Sequence, residues 1–173
     1  LKGGEALEKA HRIQAIAFDK TGTLTIGKPV VTDVVMLRKD ISEKDAMLFA
    51  GAVETGSEHP LARAIIEKGK EQGTLQEVKN FEAVAGKGVY GAIGIREVHV
   101  GQPLYMADLG LDIASHKKEL ERLQGEAKTV VFLVIDKQLT ALVAMADTLK
   151  PDVTEAIAAL KKMGKEIIMI TGD

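Results

Sequence analysis

The sequence of 173 residues contains no cysteine, and only 3% of its residues are aromatic. The absence of cysteine excludes disulfide bonds and thiolate metal sites. Because aromatic side chains are scarce, a folded core must be built from Ala, Val, Ile and Leu. Apolar residues make up 46% and charged residues 28% of the chain, which is typical of a soluble globular protein of one large or two small domains.

The chain also lacks a strong net charge and a long apolar run. Its net charge is −2 with both signs mixed, whereas a nucleic-acid surface needs a basic stripe, so we expect no nucleic-acid partner. The apolar run at 130–135 is far too short to cross a bilayer, and no signal peptide is visible. Because the chain begins with Leu1 and stops directly after an apolar segment, we expect it to be a piece of a larger protein.

The two ends of the chain have the pattern of a parallel α/β structure. Segments 13–18 and 167–170 are nearly all apolar, as strands buried on both faces should be. Pro151 predicts the first turn of a helix that ends at Gly164. A short helix is also predicted over 5–11.

The middle of the chain has the pattern of an antiparallel α+β structure. Ser42 predicts the N-cap of a helix that ends near Val53, and a second helix follows Pro60 and ends at Gly73. Glycines punctuate short β-type runs over 78–100, which predicts antiparallel strands joined by tight turns. The remaining elements are a short helix and a pair of strands, predicted over 115–123, 129–135 and 139–146.

The simplest architecture with both patterns is an α/β domain interrupted by an α+β insertion that contains an antiparallel sheet. We place the insertion at 28–142 and the interrupted domain at 1–27 and 143–173. An open sheet of two strands is only marginally stable. We therefore expect the insertion to be better ordered than the two ends, unless the ends pack on each other or on a neighbouring chain.

The stretch FDKTGTLT at 18–25 follows the first predicted strand. Ligands of parallel sheets lie outside the carboxyl ends of the strands, where Asp19 ends the first strand and Thr171 and Asp173 follow the last. An aspartate here is suited to accept a phosphoryl group and to bind Mg²⁺. Gly22 allows close approach of a phosphate. The hydroxyl groups of Thr21, Thr23 and Thr171 would donate hydrogen bonds to its oxygens. A Thr-rich turn with Asp19 as a local cap is the plain alternative, and it is much less specific.

The residue two positions after Asp19 separates two kinds of enzyme. In phosphatases of the haloacid dehalogenase type this position is usually a second aspartate, which serves as general acid and base. Here it is Thr21, whose hydroxyl cannot shuttle that proton at neutral pH. The expected product is an aspartyl phosphate that hydrolyses slowly on its own, which suits a transport cycle.

Motifs along essentially the whole chain resemble, in order, those of heavy-metal P-type ATPases. DKTGTLT at 19–25 matches their phosphorylation signature. SEHPLA at 57–62 is similar to their His-Pro motif, GKGV at 86–89 to their glycine loop and VG at 100–101 to their Val-Gly-Asn element. DTLK at 147–150 is similar to their hinge motif, and MITGD at 169–173 to a motif of their phosphorylation domain. The segment KGGEALE at 2–8 and Lys150 resemble copper transporters more than zinc or cadmium ones.

This resemblance implies a partial haloacid-dehalogenase-like, Rossmann-like phosphorylation domain interrupted by a nucleotide-binding domain. It implies ATP as substrate and Mg²⁺ as cofactor, with the metal at Asp19 and Thr21. Catalysis is assigned to five residues, Asp19, Lys20, Thr21, Thr171 and Gly172. Nucleotide binding is assigned to Glu54 and His59, which would contact the adenine, and to Gly86, Gly88, Gly101 and Asp173.

Several residues of these motifs also have a plain structural explanation. A histidine beside a proline is usually a cap or a surface residue, Glu54 would be a solvated charge at a helix end, and Gly86 and Gly88 would be turn glycines. Asp147 and Lys150 set the geometry between domains, or Asp147 only caps the helix that follows. Three histidines match no motif, and no role is predicted for them: His11, His99 and His116.

The sequence departs from the family pattern at several points. Gln102-Pro103 stand where an asparagine is usual, and the segment 89–100 is longer than usual. The later Gly-Asp-Gly-x-Asn-Asp motif and the phosphate-binding lysine before it are absent from these residues. We therefore expect the chain to bind nucleotide but to turn it over slowly or not at all.

The resemblance also implies partners. They are transmembrane and actuator domains in the same parent chain and a soluble copper chaperone in the parent system. The resemblance further implies that this region lies at the cytoplasmic face of a membrane. Two other functions stay open, a nucleotide-binding module without catalysis and a phosphatase of the haloacid dehalogenase type, against which Thr21 argues.

Overall fold

The computed structural model describes residues 13–170, without the side chains of Lys20 and Thr21. The helix predicted over 5–11 and the site residues predicted at 171–173 lie outside this part of the chain. The chain divides into two compact units, one of Leu1–Lys28 with Asp147–Asp173 and the other of Pro29–Ala146.

The first unit contains a parallel pair of strands, β1 at Ala15–Asp19 and β8 at Glu166–Ile170. Their register pairs Ala15 with Glu166 and Asp19 with Ile170, so Asp19 lies at the carboxyl end of the sheet. A single π-helical turn follows at Lys20–Leu24, and helix α5 at Val153–Lys162 precedes β8. The prediction that the two ends pair in parallel is confirmed.

The prediction that both strands are buried on both faces is wrong for the part of the chain that is described. Met169 and Ile170 are 59% and 55% exposed, and β1 alternates between exposed and half-buried residues. The two strands pair only with each other in this sheet, and helix α5 packs against β8 without covering these side chains. An apolar strand is buried only where other elements cover it, and the sequence of the strand does not reveal that cover.

The second unit is built on a six-stranded sheet. Its strands are β2 Thr25–Met36, β3 Lys79–Val84, β4 Gly88–Ile93, β5 Arg96–Gly101, β6 Thr129–Ile135 and β7 Gln138–Leu149. Their order in the sheet is β2-β7-β6-β5-β4-β3, and strands β3 to β7 pair antiparallel, as predicted. Strand β2 was not predicted, because Gly27 and Pro29 interrupt its pattern. As the edge strand of the sheet, β2 tolerates the proline.

Four helices belong to this unit: α1 Glu43–Glu54, α2 Pro60–Gln72, α3 Pro103–Asp108 and α4 Lys117–Gly125. The Ser42 hydroxyl accepts a hydrogen bond from the Asp45 N–H at 3.0 Å, which confirms the predicted cap of α1. Gly73 ends α2, also as predicted. Helix α3 was not predicted; Pro103 lies in its first turn, where a missing N–H costs nothing.

The core of this unit lies on both faces of the sheet because alternate residues of each strand point to opposite sides. On one face, Val100 and Leu133 pack in a cluster with Met47 of α1 and Ile65 of α2. On the other face, the cluster contains strand and helix residues that include Phe132, Leu142, Met106 and Leu123. The result is three layers, helices α1 and α2, the sheet, and helices α3 and α4. Within residues 13–170 no helix is long and apolar enough to span a membrane.

Candidate functional site

A cavity of about 600 Å³ opens in the second unit, between the loop that joins α1 to α2 and the turn that joins β3 to β4. Its apolar wall comes from the first core cluster, through Ile65, Val89, Val100 and Val131. Five of the six residues predicted to bind nucleotide line this cavity: Glu54, His59, Gly86, Gly88 and Gly101. Motifs that lie up to 47 residues apart in the sequence therefore meet at one place.

His59 is the N-cap of α2, and it also lines the cavity. Its Nδ1 accepts a hydrogen bond from the backbone N–H of Leu61 at 3.2 Å. The plain explanation of this histidine as a cap is therefore correct, and it does not conflict with a role in binding. Because Nδ1 accepts, a neutral ring carries its proton on Nε2 and presents a donor there.

Glu54 is the last residue of α1, and its side chain is buried in the cavity wall, with 7% of the residue exposed. The explanation of Glu54 as a solvated helix-end charge is therefore wrong. Burial raises the pKa of this carboxyl group to about 7, partly offset by a hydrogen bond from Ser57. At neutral pH the cavity thus holds a carboxyl group that is poised between its protonated and ionised forms.

Different structural features explain why glycine stands at three positions of the cavity. Gly86 has a φ of +68° and open space where a Cβ would be. Gly88 and Gly101 face each other across β4 and β5. A Cβ on Gly88 would collide with the Val100 carbonyl oxygen, and one on Gly101 would lie 2.5 Å from Cδ1 of Tyr105. Close packing within the protein is therefore enough to require glycine at both of these strand positions.

Lys87 lies between two of these glycines and is the one lysine or arginine that lines the cavity in the described part of the chain. Its ammonium group forms an ion pair with Asp108 of α3. Both side chains are more than a third exposed, so the pair contributes little stability and can open. No role was predicted for Lys87, and its place inside the glycine motif is the only sequence signal for one.

The segment after Asp19 is held by residues of the DTLK motif in the same unit. Gly22 adopts a φ of +77°, its N–H donates to the Thr25 hydroxyl at 3.1 Å, and its carbonyl oxygen accepts from Nζ of Lys150 at 2.9 Å. The Asp147 carboxylate accepts from the Thr25 hydroxyl and from two backbone N–H groups, of Gly27 and Lys28. Asp147 lies in β7, and the N-cap of α5 is Asp152, so the explanation of Asp147 as a helix cap is wrong.

The residues present fit a magnesium ion that is shared with a phosphate ligand. Within the described residues no group of three or more His, Cys, Asp or Glu side chains is arranged to hold a metal. Asp19, exposed at the carboxyl end of β1, offers one carboxylate. Mg²⁺ is commonly held by one or two carboxylates together with substrate phosphates and water, which matches such a site.

The model of the haloacid dehalogenase-like hydrolases matches residues 13–173, so the chain belongs to this family. Within it, the chain is 43% identical over 173 residues to the copper-exporting P-type ATPase of Bacillus subtilis (strain 168). That match covers 99% of this chain and 21% of the relative. The chain thus spans about a fifth of the length of the curated relatives it matches.

Solved structures of heavy-metal P-type ATPases have the same fold as this chain. A zinc-transporting PIB-type ATPase in the E2.Pi state superposes with a TM-score of 0.83 and 32% identity, over 100% of this chain and 28% of that one. The catalytic domain of the CPx-ATPase CopB-B, studied for conformational changes upon nucleotide binding, has a TM-score of 0.68 and 30% identity, over 100% of this chain and 59% of that one. The predicted fold class and the resemblance to heavy-metal P-type ATPases are confirmed.

Proposed function

We propose that this chain is the ATP-binding catalytic region of a copper-transporting P-type ATPase. The copper-exporting relative supports the choice of ion. The observation that supports nucleotide binding most strongly is that Glu54, His59 and the three motif glycines all line the same cavity. A related catalytic domain with the same fold was solved in a study of nucleotide binding.

The unit Pro29–Ala146 binds the adenine nucleotide in this cavity. The purine lies against the apolar wall that includes Ile65 and Val89, and pockets of this size and character suit such a ligand. Nε2–H of His59 and the carboxyl group of Glu54 offer a donor and an acceptor to the edge of the base. The backbone at Gly86 leaves room for the rest of the nucleotide, and Lys87 is available to its phosphates.

Asp19 accepts the γ-phosphoryl group. A carboxylate oxygen of Asp19 forms a bond to the γ-phosphorus while the bond from phosphorus to the β–γ bridging oxygen breaks, and ADP leaves with that oxygen. Magnesium supplies charge neutralisation when it is bound, with Asp19 and Thr21 as its protein ligands. In this reaction class catalysis is mainly positioning and electrostatic stabilisation, to which the remaining assigned residues contribute: Lys20, Thr171, Gly172 and Asp173.

The same proposal extends to the parent protein. It would lie at the cytoplasmic face of a membrane, act together with transmembrane and actuator domains of the same chain, and receive copper from a soluble chaperone. Because these 173 residues span about a fifth of the relatives' length, we propose that by themselves they bind nucleotide and turn it over slowly. With Thr21 in place of an acid–base aspartate, the aspartyl phosphate would be long-lived.

The binding proposal is tested by calorimetric titration of the chain with a non-hydrolysable ATP analogue. His59→Gln should weaken binding about tenfold, the loss expected when one hydrogen bond to the base and one ring contact with it are removed. His116→Gln, in the short helical turn before α4, is the matched control and should bind as the wild type does. Equal affinity of His59→Gln and wild type would contradict the assignment of His59.

Two measurements separate this proposal from the other functions. Incubation with γ-labelled ATP should give slow labelling that Asp19→Asn abolishes, whereas a nucleotide-binding module without catalysis gives no label at Asp19. Rapid stoichiometric labelling would contradict slow turnover. Hydrolysis of a small phosphate ester such as p-nitrophenyl phosphate at a phosphatase's rate would instead favour the haloacid dehalogenase-type phosphatase.

A further inference from the structure

A second cavity, of about 430 Å³, lies in the same unit on the opposite face of the sheet. Val89 and Val100 contribute to the first cavity, while their strand neighbours Tyr90 and His99 line the second. Successive side chains of a strand point to opposite faces, which explains the separation. The proposed nucleotide function uses none of the side chains that set the chemistry of the second cavity.

The floor of the second cavity is aromatic. The chain has only two tyrosines, and both lie against the buried ring of His99. The ring centroids of Tyr90 and His99 are 4.8 Å apart, and those of His99 and Tyr105 are 5.7 Å apart. The Tyr105 hydroxyl lies 3.0 Å from Nδ1 of His99, so the rings are held in a fixed arrangement.

This aromatic floor is uncharged at neutral pH. Burial lowers the pKa of His99 and raises the pKa of Tyr105, so the imidazole and the phenol both stay neutral. Leu109 and Leu111, which follow α3, form an apolar side wall. A flat, uncharged surface beside an apolar wall favours a planar ring system, which stacks on aromatic side chains.

The charged residues at the cavity are predominantly acidic. Glu82 of β3 and Glu97 of β5 are both exposed, and Lys137 of the β6–β7 turn is the one cation that lines the cavity in the described part of the chain. Two carboxylates against one ammonium group disfavour a phosphate-bearing ligand. They favour a ligand with a positive charge, which an aromatic floor also attracts.

We propose that the second cavity is a binding site for a planar heteroaromatic molecule that carries one positive charge and no phosphate. The ring lies on Tyr90 and against Leu109 and Leu111, and its charge faces Glu82 and Glu97. A volume of about 430 Å³ is within the range of small-molecule sites and accommodates a two-ring compound.

The test uses 4-aminoquinoline, a planar cation at neutral pH, and quinoline-4-carboxylate, a planar anion with the same ring system. Each is titrated into the full chain in the presence of a saturating non-hydrolysable ATP analogue, and backbone amide shifts are followed by NMR. We expect saturable shifts at residues 90, 99 and 105 with 4-aminoquinoline, and binding of the carboxylate at least about fivefold weaker because its charge meets the acidic rim.

Variants at the rim keep the test independent of folding, because both glutamates are exposed. Glu82→Gln and Glu97→Gln should each weaken 4-aminoquinoline binding about threefold, while Glu121→Gln on α4 should not change it. The proposal would be overturned by absence of saturable binding, which would mean that the aromatic cluster only packs the core. It would also be overturned by shifts confined to Glu54, His59 and residues 86–88, or by equal binding of the anion.

Discussion

The carboxylate of Asp147 accepts the backbone N–H of Gly27 through both of its oxygens, at 3.0 and 3.2 Å, across 120 residues of sequence. The same carboxylate accepts from Lys28 N–H and from the Thr25 hydroxyl. Lys150, three residues on, donates to the Gly22 carbonyl oxygen. The DTLK segment therefore holds the chain that directly follows the proposed phosphorylation site.

Replacing Asp147 with alanine should destabilise the first unit. A hydrogen bond to a charged acceptor contributes about 1.5–3 kcal/mol. Because the donors left behind are partly solvated, we expect the free energy of unfolding to fall by about 2 kcal/mol in total. Chemical denaturation measures this loss. Asp152→Ala is the matched control, because the exposed Asp152 makes no side-chain cap hydrogen bond and its removal should be nearly neutral. An equal effect of both variants would count against the role given to Asp147.

Hydrogen exchange should distinguish the two sheets. Backbone amides of β1 and β8 belong to a two-stranded sheet with exposed side chains, whereas β5 and β6 are central strands with apolar layers on both faces. Local opening costs least where few apolar contacts are lost. Amides at 15–18 and 167–170 should therefore exchange faster than those at 130–135. Exchange at the ends as slow as in the central strands would contradict this expectation.

Local patterns were sufficient to predict most elements of the fold. Ser42 and Pro60 marked helix starts, and the apolar runs around Asp136 marked the β6–β7 pair. Strand β2 and helix α3 were missed because Pro29 and Pro103 read as interruptions. A proline is tolerated at an edge strand or in a first helical turn, and only the tertiary arrangement reveals either position.

The candidate site was predictable only as far as its motifs. His59 and the glycines are marked by their neighbours in sequence, but the burial of Glu54 at the end of α1 depends on tertiary packing. His99 matched no motif, because its partners Tyr90 and Tyr105 come from another strand and a helix. Contacts of this kind arise from strand register, which a single sequence leaves open.

Alanine at the three cavity glycines should separate their structural roles. Gly88→Ala and Gly101→Ala would force β4, β5 and Tyr105 apart, and we expect each to lose about 3 kcal/mol, the upper end of the usual cost of overpacking. Gly86→Ala meets open space and suffers only the cost of a positive φ, about 1 kcal/mol. Thermal and urea denaturation measure these losses. If Gly86→Ala were the most damaging of the three, the packing explanation would be wrong.

The ionisation of Glu54 should make the stability of the second unit depend on pH. Its folded-state pKa of about 7 lies above its ordinary value of 4.5, so between these values the folded state binds a proton that the unfolded state has released. Stability from this group is therefore fully present below about pH 4.5 and is lost as pH rises through about 7, by at most about 3 kcal/mol.

Glu54→Gln removes this ionisation and should flatten the dependence, so that the variant gains stability relative to wild type as pH increases from 5 to 8. Urea denaturation at several pH values measures the difference, with Glu58→Gln as the control because Glu58 lines the same cavity but is exposed. Parallel pH profiles for wild type and Glu54→Gln would show that Glu54 is ionised throughout this range. In that case the carboxylate would present a permanent charge to any ligand in the cavity.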